Sequence, residues 1–414
     1  MSVLNQQDMQ FYYGHVYPYK PIYQWLNRSF SDNGTRNMIN REIAIEFKTG
    51  AYGRYFSFPT LKLFKEKMIN DIPNRFEIGA IYSSPPKKKD SVLKNSMKPL
   101  EKELVFDIDM DDYDGYRTCC SGAQICGKCW KFIEIAIKVM NITLVEDFGF
   151  EEFFWVFSGR RGAHCWVSDT RSCLMNDLQR RNVLDYLNVV KDRDIEKKIG
   201  MIHRPLHPFI ERSLTILKQD FVDIILREQD PWRDDEQAIK TLLAGFYDKN
   251  LISHCKKYWL ENPGRSSEVK WCDIDFIAAR ALTYGKKPEY IEKLKHCKED
   301  LILKTLYPKF DIEVTKQMIH LLKAPFCIHP KTLNVCVPIM THNKGQDLQG
   351  FSIQDFDPTE CPKLNDLINA MSENGMDIST TNLRPYVELF NKFTQTYVKG
   401  QVSVKREHEN SLDF

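Results

Sequence analysis

The stretch ELVFDIDMDDYD, residues 103–114, constrains this chain more than any other part of it. Leu104 to Met110 is an apolar run broken only by Asp107 and Asp109, which predicts a buried strand. Side chains two apart on a strand share a face, so the two carboxylates project together. Adjacent buried carboxylates repel each other and are costly to desolvate unless something compensates. A divalent cation is the natural compensation, since Mg²⁺ is held by one or two carboxylates together with phosphates and waters. Two such ions about 3.5–4 Å apart can clamp the attacking and leaving oxygens of a phosphoryl transfer. The same pair also fits an exposed strand end where both carboxylates face water. Asp111, Asp112 and Asp114 read as turn residues.

Composition limits the alternatives. A chain of 414 residues is long for one compact core, so two or three lobes are expected. With 43% hydrophobic and 28% charged residues it reads as a soluble globular enzyme. The net charge of +2 gives no overall pull toward nucleic acid, so any basic surface must be local. No stretch approaches a membrane span, and the first twenty residues lack the basic-then-apolar pattern of a secretory signal. The twelve cysteines are therefore expected in a reducing compartment, where clustered thiols are metal ligands more often than disulfides.

Four of those cysteines, Cys119, Cys120, Cys126 and Cys129, fall within eleven residues. Four thiols can close a tetrahedral Zn²⁺ shell, which makes the expected metal structural. The adjacent Cys119–Cys120 pair is unusual for such a site, and clustered core thiols remain the other reading. The remaining eight, including Cys255, Cys272 and Cys361, read as ordinary small residues.

A further motif is VFSGRRGAHCWV, residues 156–167. Phe153–Phe157 and Ala163–Val167 read as strands around the turn SGRRG, a hairpin signal. Gly159 and Gly162 flank Arg160 and Arg161, so a ligand can approach the backbone closely. Arginine forks bind phosphate oxygens bidentately. With Ser158, and with His164 sharing a strand face with Trp166, the hairpin tip is a plausible triphosphate grip or else a basic surface turn. No GxxxxGK[ST] loop is present, so the chain is not a P-loop NTPase.

In KFDIEVTKQMIHLLKAPFCIHP, residues 309–330, Asp311 precedes a predicted helix carrying Val314, Met318, Leu321 and Leu322. By itself Asp311 reads as an N-terminal cap, Lys323 as a cation closing the helix, and His329 as a core or turn histidine.

Along the chain, Phe11–Leu26 is aromatic and partly helical, interrupted at Pro18 and Pro21. Ile43–Phe47 and Phe76–Tyr82 read as strands. The segment SSPPKKKDSVLKNSMKP, residues 83–99, reads as an exposed loop, either a solvated connector or a contact for template or primer phosphates. A helix is expected to start near Cys129. From about Asn188 to Leu306 charged helical patterns dominate, as in Ser213–Glu228 and Asp235–Tyr247. Strand signals return at Phe326–His329 and Asn334–Ile339. Residues 341–362 read as a loop and Arg384–Lys399 as a helix, before a frayed tail. The expected domains are residues 1–188, the first part of a catalytic core including the cysteine motif at 119–129; residues 189–305, an inserted helical subdomain; and residues 306–414, the second part of the core. The fold class is α/β of the α+β kind.

Taken together, these motifs resemble the small, catalytic subunit of eukaryotic DNA primase, most of all its fungal form. INREIAIEF, GAYGRY and FEIGAIYS nearer the start belong to the same resemblance, as does HLLKAPFCIHP, and order and spacing agree over essentially the whole chain. The resemblance implies a mixed α/β core with a helical subdomain inserted. It implies that Asp107, Asp109 and Asp311 hold catalytic Mg²⁺ or Mn²⁺, which replaces the capping role of Asp311. Glu42 matches an acidic active-site position. Arg54, Ser158, Arg160, Arg161, His164, Lys323 and His329 match nucleotide contacts, with His320, Leu321 and Leu322 lining the same segment. Cys119, Cys120, Cys126 and Cys129 match zinc ligands. Glu77 departs from the aspartate of some relatives, which bears on any contact it makes with a ribose. The implied activity is template-directed synthesis of short RNA primers from NTPs on single-stranded DNA. The implied partners are a primase large subunit and the DNA polymerase alpha complex, in the nucleus. A metal-dependent nuclease and a non-catalytic zinc-containing nucleic-acid-binding subunit are the competing readings.

Overall fold

A computed structural model describes residues 4–91, 93, 96–188, 202–345, 356–373 and 375–411. The chain folds as two units, one formed by residues 1–108, 149–184 and 310–414, the other by residues 109–148 and 185–309.

The first unit is α+β. Strands β1 (Arg41–Glu46), β2 (Tyr52–Phe56), β3 (Arg75–Tyr82) and β4 (Pro99–Glu101) lie in the order β2-β1-β3-β4. A second sheet is built from β5 (Leu104–Asp109), β6 (Phe153–Phe157) and β7 (Gly162–Val167). The short strand β8 (Leu322–Lys323) returns to pair with β3, and β9 (Pro338–His342) completes the second sheet in the order β5-β7-β6-β9. The pairs β1/β2, β1/β3, β3/β4, β3/β8, β6/β7 and β6/β9 are antiparallel.

The apolar pattern explains these strands. Every residue of β6 and β7 is buried, and they pair in register from Phe153 with Val167 to Phe157 with Ala163. Trp25, Phe154 and Trp166 meet edge to face or stacked, and Phe390 and Phe393 of the C-terminal helix Arg384–Ser411 close over Phe154. The indole of Trp25 donates to the Ser168 hydroxyl at 3.0 Å, so this aromatic cluster buries no unmet N–H at that ring. Pro18 caps the helix Tyr19–Asn27, whereas Pro21 sits in its first turn, where a missing N–H costs nothing. Pro21 therefore does not interrupt it.

The second unit is helical among its described residues beyond the strand end at Asp109. Its principal helices are Gly127–Glu146, Pro208–Phe221 extended to Gln229, Lys249–Glu261, Ser267–Ala281 and Pro288–Leu306. Trp232 stacks on Trp271, Phe221 packs against both, and Trp259 donates from its ring to Asp273 at 3.1 Å. Asp273 also takes Arg265 at 2.6 Å.

Three further expectations differ from what is observed. The cysteine segment, grouped with the core by sequence, packs with the helical unit, because the helix that starts just after Cys126 runs along helices of the insertion. The helix after Asp311 stops at Lys316 instead of continuing through Leu322. Gln317 is extended, the Met318 N–H is taken by Asp177, and the backbone of Leu322 and Lys323 pairs with Ile78 and Glu77 of β3. Strand pairing thus overrides helical periodicity. The pair of strands expected at 326–329 and 334–339 meets only in a bridge between Ile328 and Val335, since Phe326 and Leu333 take positive φ (62° and 63°) and bend the chain, while Pro338 and Ile339 open β9, which runs into the expected loop as far as His342. Residues 189–201, the expected start of the insertion, and 346–355 of the expected loop lie outside the described residues. No described helix is long and apolar enough to cross a membrane.

Candidate active site

Strand β5 carries the aspartate pair. Leu104–Phe106 and Ile108 are buried while Asp107 and Asp109 are half-exposed, the alternation the sequence predicts. The Asp111 N–H donates to the Asp109 carboxylate at 3.3 Å. The Asp311 N–H donates to the Asp107 carbonyl at 2.9 Å, which brings the distant third aspartate beside the first. The Asp311 carboxylate accepts the Glu313 N–H at 2.9 Å, so it also caps the short helix Ile312–Lys316. The His164 Nε2 lies 3.6 Å from the Asp107 carboxylate. Oxygen donors of this kind, half-exposed on a strand end, suit a hard divalent cation.

The SGRRG turn is held from two sides. Ser158 N–H donates to Gly162 O at 2.8 Å, and Gly162 N–H donates to the Ser158 hydroxyl at 3.0 Å. Gly159 has φ +84°, and a Cβ there would stand 2.7 Å from the Cβ of His329. Its carbonyl accepts from Thr332 at 2.6 Å and Asn334 at 3.1 Å. Lys323 donates to the Ser158 carbonyl at 2.5 Å. The turn, Lys323 and His329 are therefore one packed assembly, with Arg160 and Arg161 half-buried at its tip.

Its electrostatics favour an anion. Burial, and then the Lys323 and Arg160 cations, hold the His329 imidazole down to about 3. His164 is likewise held down to about 3 by burial and by Lys323. The His329 Nδ1 accepts the Lys331 N–H at 3.3 Å, so the neutral ring carries its proton on Nε2.

Glu42 and Arg54 form a second cluster. The fully buried Glu42 carboxylate accepts Arg54 Nε at 2.8 Å and the other arginine nitrogen at 3.1 Å, the Tyr55 N–H at 3.3 Å and the Tyr82 hydroxyl at 3.0 Å. Arg54 also reaches the Ile319 carbonyl at 3.4 Å. Gly79 of β3 lets Leu321 approach, since a Cβ there would meet Leu321 at 2.7 Å and Glu42 at 3.1 Å. His320 is half-buried, and burial with the nearby Lys102 ammonium lowers its pKa.

In the second unit, one sulfur from each of Cys119, Cys120, Cys126 and Cys129 lies within 4.8 Å of the others, a grouping able to hold a metal ion such as zinc. The Cys126 N–H donates to the Cys129 sulfur at 3.2 Å. Burial would raise the Cys126 thiol, but N–H groups at the helix start, with its neighbouring thiols, bring it down to about 7. Seven of the other eight cysteines are buried and Cys272 is exposed; none is in a disulfide.

Residues 106–341, more than half the chain, match the family described as DNA primase small subunit. The DNA primase small subunit of Saccharomyces cerevisiae is 54% identical over 416 residues, covering 99% of this chain and 98% of that protein. The chain belongs to the DNA primase small subunit family. The Schizosaccharomyces pombe member is 40% identical over 100% of this chain and 94% of its own length. An archaeal member from Pyrobaculum islandicum, 29% identical, matches 36% of this chain and 47% of its own.

Sequence reasoning missed the supports beneath this family member's site. Arg41 and Glu103, both buried, pair bidentately at 2.8 Å on each side. Although burial raises the Glu103 carboxyl, Arg41 and then Arg28 hold it down to about 2. Lys102 is buried and donates to the His320 carbonyl. Burial and the nearby Arg180 bring Lys102 down to about 7. The only trace in the sequence is a run of charge, Glu101-Lys102-Glu103, leading into a buried strand.

Proposed function

We propose that this chain is the catalytic subunit of a DNA primase, a DNA-directed RNA polymerase that joins NTPs into short RNA primers on single-stranded DNA. What carries the reading is convergence. Asp107 and Asp311, far apart in sequence, are bonded through their backbones, and the Ser158–Gly162 turn is packed against Lys323 and His329 in the same unit. A nuclease would need no triphosphate grip, so NTP dependence separates the two readings.

Asp107, Asp109 and Asp311 would hold Mg²⁺ or Mn²⁺. When bound, such ions activate the attacking 3′-hydroxyl and stabilise charge on the departing pyrophosphate. Arg160, Arg161 and Lys323 bind the triphosphate by charge-assisted hydrogen bonds, and His329 adds a neutral Nε2–H donor. Ser158 shapes the turn. His164 stands beside Asp107 as a neutral ring. Glu42 aims Arg54, and His320, Leu321 and Leu322 line the neighbouring wall. Cys119, Cys120, Cys126 and Cys129 hold a structural Zn²⁺. The reading extends to a primase large subunit and the DNA polymerase alpha complex as partners, in replication initiation and lagging-strand synthesis in the nucleus.

The test is primer synthesis by the purified chain on single-stranded DNA with labelled NTPs and Mg²⁺ or Mn²⁺, beside Asp109→Ala. Short RNA from the wild type alone supports the reading. Strand cleavage that proceeds without NTPs would replace it with the nuclease. No product even with a preformed primer and added large subunit would remove it.

A further inference from the structure

Beside Arg54 the first unit opens a cleft of about 680 Å³, walled by β2, the helix Leu61–Asp71 and the turn Pro86–Ser91. We infer that this cleft binds single-stranded nucleic acid, taking backbone phosphates on Lys87 and on Lys89, which the Tyr55 ring positions, and a base against Leu63. The inference rests on the primase reading for the identity of the strand, which would be the template.

The backbone points to the cleft as a built feature. Successive residues of a strand face opposite sides, yet Arg54, Tyr55 and Phe56 all line it. They do so because Tyr55 has φ +67°, a conformation that is unfavourable for a bulky residue. Glu42 holds that kink by accepting both the Tyr55 N–H at 3.3 Å and the Arg54 guanidinium at 2.8 Å. The strain thus delivers an aromatic ring to the same wall as a candidate nucleotide contact.

The cleft carries one further carboxylate, Asp90, beside its lysines, and its other charges separate into used and unused. Lys67 is paired with Asp71 at 2.8 Å, and Glu66 lies 3.8 Å from Lys62. Among the described residues Lys87 and Lys89 have no carboxylate partner; the Lys89 ammonium instead sits 3.8 Å from the centre of the Tyr55 ring. The Arg54 guanidinium is 5.1 Å from the same ring. Arg54, Tyr55 and Lys89 therefore form a continuous cation–aromatic row from the candidate nucleotide site into the cleft. Leu63, 46% exposed, adds an apolar face for a base. Cations interleaved with aromatic and apolar surface are what a single strand requires, since every base has a stacking face and every link a charge.

The test is fluorescence anisotropy of a labelled oligothymidylate with the full chain from about 50 to about 200 mM salt. Each phosphate contact on a single strand contributes about 0.7 to the slope of log affinity against log salt, so the K87A/K89A pair should lower that slope by about 1.4 and weaken binding roughly tenfold. Leu63→Ala should weaken binding without changing the slope. A wild-type chain that does not bind at low salt, or a K87A/K89A chain with unchanged affinity and slope, overturns the inference. Equal competition by polyglutamate would overturn it too, in favour of an acidic protein partner. A labelled ATP titration reads the triphosphate grip separately, so its failure with oligothymidylate binding intact would count against the primase reading alone.

Discussion

The backbone N–H of Asp311 donates to the backbone carbonyl of Asp107 across 2.9 Å. Neither carboxylate takes part in that link, so the chain crossing that joins the two aspartates does not depend on their charge. The Asp311 side chain has a separate structural task, capping a helix at 2.9 Å. Asparagine caps about as well as aspartate, whereas alanine forfeits about 1 kcal/mol. Asp311→Asn should therefore keep its melting temperature and lose primer synthesis by a factor of about a thousand or more, and Asp311→Ala should lose both. Thermal melts beside a polymerisation assay check this; near-normal synthesis by the asparagine variant would remove Asp311 from the metal set.

Gly159→Ala probes the Ser158–Gly162 turn, the proposed triphosphate grip, without removing a charge. A Cβ would fall 2.7 Å from His329 at a φ of +84°. The expected cost is about 1–3 kcal/mol of stability, with a higher KM for NTP. A variant with wild-type kinetics would show that the contact between turn and His329 has no bearing on nucleotide use.

Arg41→Met should cost about 3–5 kcal/mol in urea unfolding, because it leaves the Glu103 carboxylate buried without its bidentate partner and with only Arg28, 4.0 Å away, as a cation. The pH dependence has a definite sign. Glu103 is lowered from 4.5 to about 2, so its stabilisation is complete above the unfolded pKa and is lost as pH falls from about 4.5 toward 2. The variant should show a shallower loss of stability over that window.

His329 should stay neutral from pH 8 down to pH 5 in the free protein, followed by its ring proton in NMR, since its pKa is lowered from 6.5 to about 3. As a depressed histidine it contributes stability above about pH 6.5 that is lost as pH falls toward 3. Lys323→Ala should raise the pKa, and so should bound triphosphate, by removing or offsetting the neighbouring positive charge. Titration near 6.5 in the free protein would contradict the cationic assembly.

Cys126→Ser, or prolonged chelation, should lower the melting temperature of the second unit, because a metal ion shared by four sulfurs within 4.8 Å of one another would tie the segment together. Zinc content by mass spectrometry and thermal melts provide the check. An unchanged melt in zinc-free protein would leave the cluster as four thiols and no more.

The local geometry of the candidate site was legible in the sequence because its signals are local. Alternation around Asp107 and Asp109, glycines flanking Arg160 and Arg161, and cysteine spacing each depend on residues within one strand, turn or helix start. The α+β class followed from the same short periods. What depends on contacts between distant residues was not legible. The helix through Leu322 was expected from its apolar spacing, but pairing of Leu322 and Lys323 with β3 turned it into a strand. The role of Gly79 emerged only when Leu321 arrived against it. The Tyr55 kink needed Glu42 from the neighbouring strand to hold it. The sequence by itself determined which chemical groups are present and which neighbours share a face, because side-chain direction follows from local backbone period. Only the tertiary structure decided which groups meet, since an Asp107–Asp311 or Arg41–Glu103 contact is the outcome of packing the whole unit, and no local period encodes it.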